Sequence, residues 1–122
     1  MTKRRKNLGK LGENLAKKAL LKKGYKFITQ NFSCRLGEID LVFKDKDTLV
    51  FVEVKTRYSE DDCLPEEAVT PRKISSIKKA GQYFKITNPG LPDPLRIDVV
   101  AIELNPVGFK LKALRHFKNI TG

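Results

Sequence analysis

The chain has 122 residues, 40% of them hydrophobic and 32% charged, with a formal net charge of +11. That length supports one hydrophobic core, and the composition excludes both a disordered body and a bundle of membrane-spanning helices. An excess of base this large points to an anionic partner, nucleic acid first.

The distribution of charge says more than its sum. Nine bases (Lys3, Arg4, Arg5, Lys6, Lys10, Lys17, Lys18, Lys22, Lys23) precede Gly24 against the single acid Glu13, whereas ten of the fourteen acids fall between Glu38 and Glu67. Phosphate backbones want the basic surface, and a metal site wants the local carboxylates. Excess lysine also suits plain solubility, or attachment to a ribosome or a membrane surface. Cys34 and Cys63 form no CxxC pair, and the one histidine, His116, completes no zinc signature. They read as free thiols of a cytoplasmic protein, and Lys10 and Glu13 interrupt the apolar run that a signal peptide needs.

In chain order, residues 1–7 read as a flexible basic arm ahead of a single domain over residues 8–122. From Leu8 to Lys23 the residues Leu8, Leu11, Leu15, Ala16, Ala19 and Leu20 recur at helical spacing, and Gly24 suits the position past a helix end. Gly12 sits near the middle of that apolar face, where it allows close approach to a sheet. Glu13 falls at the face's edge, either reaching the rim of that contact or simply pairing with Lys17 at i+4. Tyr25 to Thr29 suits a strand, and Gln30 to Cys34 a polar connection.

Gly37 to Arg57, GEIDLVFKDKDTLVFVEVKTR, reads as a hairpin broken by a turn within Asp45 to Thr48. With Lys46 and Asp47 at the centre of the turn, Asp40 lies opposite Glu53 and Glu38 opposite Lys55. Opposed residues share a face with Cβ atoms roughly 4.5–5.5 Å apart, and like charges there are destabilising. Cross-strand ion pairs on a solvated sheet face are one resolution. A divalent cation is the other: Mg²⁺ takes one or two carboxylates plus waters and substrate phosphates, and Lys55 would orient water or stabilise developing charge.

Past Arg57 an acidic, irregular stretch from Ser59 to Pro65 reads as a mobile loop near that patch. Thr70 and Pro71 are a good cap and first-turn pair for a helix to about Ile86, with a stripe of Ile74, Ile77, Gly81 and Phe84. Lys78, Gln82 and Lys85 border the stripe, placed either to face phosphate or to snorkel round a core helix. A Pro- and Gly-rich loop precedes a strand from Leu95 to Leu104, and Asn105 to Gly108 turns into a last strand from Phe109 to Phe117. The order α-β-β-β-α-β-β predicts a mixed sheet flanked by helices. Tryptophan is absent and the aromatics fall mostly in strand patterns, so no stacking platform for single strands is indicated.

The segments GENLA (12–16), Asn31 followed by GEIDLV (37–42), FVEVKTR (51–57), the helix carrying Lys73, Ile77 and GQYF (81–84), and RIDVVAI (96–102) together resemble the YraN-like family of small bacterial proteins. That family is grouped with restriction-endonuclease-like nucleases, the PD-(D/E)XK superfamily, and is similar in core layout to archaeal Holliday junction resolvases. The resemblance implies Asp40 and Glu53 as metal-binding acids, Lys55 as the lysine that positions water, and Glu13 as a helix acid completing the site. It also implies the Val54 carbonyl as a metal ligand, Glu38 as a ligand or a partner of Lys55, and Arg57 and Gln82 as phosphate contacts. Lys10, Lys17 and Lys78 are further candidates for nucleic acid binding. No proline precedes Asp40, and Gln82 and Tyr83 are adjacent, so the QxxxY helix motif of one nuclease branch is missing.

Residues and resemblance together predict a Mg²⁺- or Mn²⁺-dependent endonuclease that hydrolyses phosphodiester bonds in nucleic acid, with DNA ranked ahead of RNA as its substrate. Nothing in the chain reads base edges, so the predicted selectivity is for DNA structure rather than sequence. The alternative is a nucleic-acid-binding accessory protein that keeps the fold and cuts little. No membrane partner is expected, and paired cuts in a junction would require a homodimer.

Overall fold

The computed structural model describes residues 3–61 and 63–120, with side chains from Asn7 onward. Met1 and Thr2 of the expected arm and Asp62 of the acidic loop lie outside the described residues. Helix α1 (Lys3–Lys22) is followed by strands β1 (Lys26–Cys34), β2 (Gly37–Asp45) and β3 (Thr48–Tyr58). A short 3₁₀ helix (Pro65–Ala68), helix α2 (Pro71–Thr87) and strands β4 (Leu95–Leu104) and β5 (Leu111–Phe117) complete the chain.

The strands form one sheet in the order β1-β2-β3-β4-β5. All neighbours are antiparallel except β3 and β4, which run parallel. A parallel pair needs a long crossover, and α2 supplies it. The two helices cover opposite faces. Val50, Val52 and Val54 pack with Ala16 and Leu20 of α1, while Leu49 and Phe51 pack with Ile77, Ala80 and Phe84 of α2. Residues 49–54 of β3 are therefore all buried, as a strand covered on both faces must be.

Two glycines set the spacing of the layers. A Cβ on Gly81 would lie 2.5 Å from the Phe51 ring, and one on Gly12 only 1.8 Å from Thr56 Oγ1. Gly12 thus does what its place in the apolar face predicts. Thr70 caps α2 by accepting from the Lys73 N–H at 3.2 Å, and Pro71 opens the first turn.

Some limits differ from the sequence reading. The stretch expected as an arm is helical from Lys3, because a run of Lys and Arg has good helix propensity without any apolar spacing. Strand β1 continues through Gln30 to Cys34, where a connection is expected, since an edge strand tolerates polar residues while Phe32 and Cys34 pack inward. Strand β5 starts at Leu111 rather than Phe109. The acidic stretch ends in the 3₁₀ helix, whose Glu66 accepts two 2.8 Å hydrogen bonds from Arg115 of β5.

One charged cluster is buried away from the acidic patch. Asp98, fully buried, accepts from Arg96 Nε at 3.0 Å and from the Asn119 N–H at 2.9 Å, and pairs with His116 Nε2 at 2.8 Å. Arg96 also donates to Asp45 and to the Tyr25 hydroxyl, tying the start of β4 to β1 and β2. Among the described residues no helix is long and apolar enough to cross a membrane.

Candidate active site

The β2/β3 ladder has the register the turn predicts, running from Asp45 opposite Thr48 to Leu41 opposite Val52, and there it stops. Strand β2 goes on pairing with β1 as far as Gly37, and β3 goes on with β4 as far as Tyr58. The sheet therefore opens one position before Asp40 and Glu53 would have faced each other. Opposed like charges are the physical reason for a ladder to end there. The expected Glu38 and Lys55 pair lies beyond the opening, and Lys55 pairs instead with Glu53, Nζ to Oε2 at 3.8 Å.

Strand β2 also turns over at this point. Leu41 and Phe43 pack on the α1 side, but Ile39 packs on the α2 side with Val42, where strict alternation would have kept it with Leu41. Asp40 sits at the turnover, and its Oδ2 accepts the Val54 N–H at 2.8 Å across the gap. A donor that has lost its strand partner is thereby satisfied.

Glu53, 2% exposed, is bracketed by two ammonium groups, with Lys73 Nζ of α2 at 3.8 Å from the same oxygen that Lys55 approaches. Burial pushes the Glu53 carboxyl up to about 8; the Asp40 charge and a carboxyl–carboxylate hydrogen bond to Asp40 add to this, and Lys73 and Lys55 oppose it. Burial likewise pushes Glu13 up to about 7, with Asp40 adding to it and a hydrogen bond to Asn31 opposing. Asp40 of β2 thus acts on both Glu13 of α1 and Glu53 of β3.

Asn31 falls where β1 passes Asp40, between the pairs Gln30/Leu41 and Phe32/Ile39, with a left-handed φ of 53° that asparagine tolerates better than most residues. Gly12 seats the next residue, Glu13, against the sheet. The Thr56 hydroxyl beneath Gly12 is buried and has no hydrogen-bond partner among the described residues.

The opening forms a cleft of about 830 Å³ whose walls include the carboxylates Glu13, Glu38, Asp40, Glu53 and Asp61 against the bases Lys55, Arg57 and Lys73. Val54 also lines it. Oxygen donors with surplus negative charge suit a hard divalent cation. Among the described residues no three acidic, histidine or cysteine side chains gather closely enough to enclose an ion. Asp40 and Glu53 are the carboxylates that could hold such an ion, with waters and a substrate oxygen filling the remaining positions, the ordinary habit of Mg²⁺. Glu13 would act through those waters.

Of the sequence candidates, Glu13, Glu38, Asp40, Glu53, Val54, Lys55 and Arg57 meet at the cleft, whereas Lys10, Lys17, Lys78 and Gln82 do not line it. The Lys17 ammonium lies 3.8 Å from the Phe27 ring centroid and donates to Gln30. Lys78 borders a different, largely apolar hollow of about 660 Å³ with Ile74, Phe117 and Ile120. Gln82 is exposed on α2. Tyr58 and Asp61 also line the cleft, and Asn31 and Lys73 contact its acids; Asn31 and Lys73 stand among the motif residues of the sequence, but the sequence alone gives none of the four a role in the site. Lys73, four residues before Ile77 on the α2 stripe, carried the one usable signal, since its helical spacing aims it at the sheet.

The chain is thus an α/β protein whose mixed sheet opens over paired acids and lysines. A family model described as "Uncharacterised protein family UPF0102" matches residues 12–102, from Gly12 through the end of RIDVVAI. The chain belongs to that family, which is the YraN-like family that its motifs resemble. A UPF0102 protein of Syntrophomonas wolfei is 50% identical over 95 residues, covering 78% of this chain and 83% of the relative. One from Syntrophus aciditrophicus is 42% identical over 107 residues, 88% of this chain and 84% of the relative. One from Caldanaerobacter subterraneus is 40% identical over 115 residues, 94% of each chain.

Proposed function

We propose that this protein is a metal-dependent nuclease that hydrolyses phosphodiester bonds in DNA of branched or otherwise irregular structure. The observation that carries the reading is the opened sheet, where Asp40, fixed on the Val54 N–H, faces a buried Glu53 bracketed by Lys55 and Lys73. A buried acid with a raised pKa, a like-charged neighbour and two lysines in a cleft is arranged for chemistry rather than for stability.

A divalent ion bound there would neutralise charge on the phosphate and acidify a water. Asp40 and Glu53 would hold it. Lys55 and Lys73, both beside the Glu53 carboxyl, would hold a water and a phosphate oxygen. Arg57 extends this positive edge along the cleft. The formal charge of +11 supplies sequence-independent affinity for the backbone.

A second reading, nucleic acid binding without cleavage, draws on the fact that no three ligating side chains converge among the described residues. Cleavage of labelled single strand, duplex, flap and four-way junction with Mg²⁺, Mn²⁺ or chelator, beside Lys55→Ala purified in parallel, separates the two. Metal-dependent cutting that disappears in the variant supports the nuclease. Equal binding by both proteins without cutting leaves the accessory role.

A further inference from the structure

The turn between β4 and β5 places large apolar side chains in water at a cost the fold does not need to bear. Its closing bond runs from the Asn105 N–H to the Lys110 carbonyl at 2.8 Å. Gly108 and Phe109 both have positive φ, 79° and 54°. Asparagine and glycine are the residues that turns of this kind ordinarily carry, and a bulky side chain in that region is an outlier. Phe109 is nevertheless 48% exposed and Val107 86% exposed.

The strain has an address. The Phe109 ring centroid lies 6.1 Å from that of Tyr58, tilted by 42°. Tyr58 is the last residue of β3 and lines the cleft that holds Glu53 and Lys55. An aromatic step therefore leads from the cleft wall to the tip of the turn, with the exposed Lys110 and Lys112 beside it.

Resting on the nuclease reading, we propose that Phe109, backed by Tyr58 and flanked by Val107, is a stacking wedge for an unpaired or splayed base at a branch point. It would position the phosphodiester next to that base in the cleft. Base–aromatic stacking tolerates any sequence, and apolar wedges are what proteins insert at opened base steps. Strained residues that persist against their own cost cluster at such sites. A second copy of this chain is the weaker occupant, because a two-fold contact here would bring Lys110 and Lys112 of two strongly basic chains together.

The test compares binding of a four-way junction, a flap and a plain duplex of equal length by fluorescence anisotropy with Ca²⁺ in place of Mg²⁺. Phe109→Gly should lower affinity for the branched DNAs at least about fivefold while leaving the duplex within about twofold, and Phe109→Tyr should retain wild-type binding. Because glycine relieves the left-handed strain, the same variant should melt at the wild-type temperature or above it. Equal losses on branched and plain DNA, or no loss, would overturn the wedge. So would a wild type that sediments as a dimer and a Phe109→Gly variant that sediments as a monomer. A wild type that binds no DNA of any form overturns both the wedge and the reading beneath it.

Discussion

Oδ2 of Asp40 accepts a hydrogen bond from the backbone N–H of Val54 at 2.8 Å, at the place where β2 has parted from β3. One carboxylate thus has two places in the structure: it satisfies a backbone donor that the split sheet would orphan, and it lines the cleft.

Substitution separates the two. Asp40→Asn keeps an oxygen that accepts from Val54 and should cost under about 1 kcal/mol. Asp40→Ala leaves the donor unpaired and should cost about 1–3 kcal/mol in a denaturant titration. Calorimetry should find Mg²⁺ binding lost in both. Retention of Mg²⁺ binding by Asp40→Asn would sink the metal site.

Glu53 makes stability depend on pH in an unusual direction. The unfolded chain gives up this proton near 4.5 and the folded protein near 8. Between those values the folded state holds more protons, so stability falls as pH rises, and Glu13 adds to the fall up to about 7. An ion that binds the carboxylate form competes with the proton. The rise in melting temperature caused by Mg²⁺ should therefore be larger at about pH 9 than at about pH 6. Glu53→Gln should flatten the pH profile and abolish that rise.

Gly12→Ala probes how α1 delivers its acid. The added Cβ would lie 1.8 Å from Thr56 Oγ1 and 2.9 Å from its Cβ, too close for either helix or strand to stay in place. Chemical denaturation should show a loss of about 1–3 kcal/mol. With Glu13 moved outward, Mg²⁺ affinity should fall as well. Thr56→Ala in the same chain should restore part of both, which a general loss of helix stability would not allow.

Asp98 should matter for stability alone. Burial by itself would raise its carboxyl, but hydrogen bonds from His116, Arg96 and the Asn119 N–H outweigh this and hold it below the usual aspartate range. Its contribution is present above the unfolded value of 3.8 and is lost as pH falls through the lower folded one. Asp98→Asn leaves Arg96 poorly compensated and should cost about 3–5 kcal/mol at neutral pH. The Mg²⁺ response of whatever folds should be unchanged.

Much of this was legible in the residues. The turn at Lys46 and Asp47 fixed a register that the sheet keeps, and helical spacing gave both helices their buried faces. Gly12 announced a close contact, and the acids and lysine of GEID and EVK fall together as the hairpin requires. Strict alternation would have kept Ile39 on the side of Leu41, but alternation assumes a ladder that continues, and the ladder with β3 ends two residues away, at Leu41. Composition could not show that the β4–β5 turn exposes Phe109, since a count of aromatics says nothing of where each one lies.

By itself the sequence determined the local order: which segments are helix or strand, which faces are apolar, and the register of the hairpin from its turn to Leu41 and Val52. Those follow from periodicity and turn chemistry, which act over a few residues. Only the tertiary structure decided that the sheet opens at Asp40, that Lys73 and Asn31 arrive from α2 and β1, and that Tyr58 joins Phe109 to the cleft. These rest on contacts between segments far apart in the chain, where burial and like-charge repulsion are set by packing and leave no periodic trace.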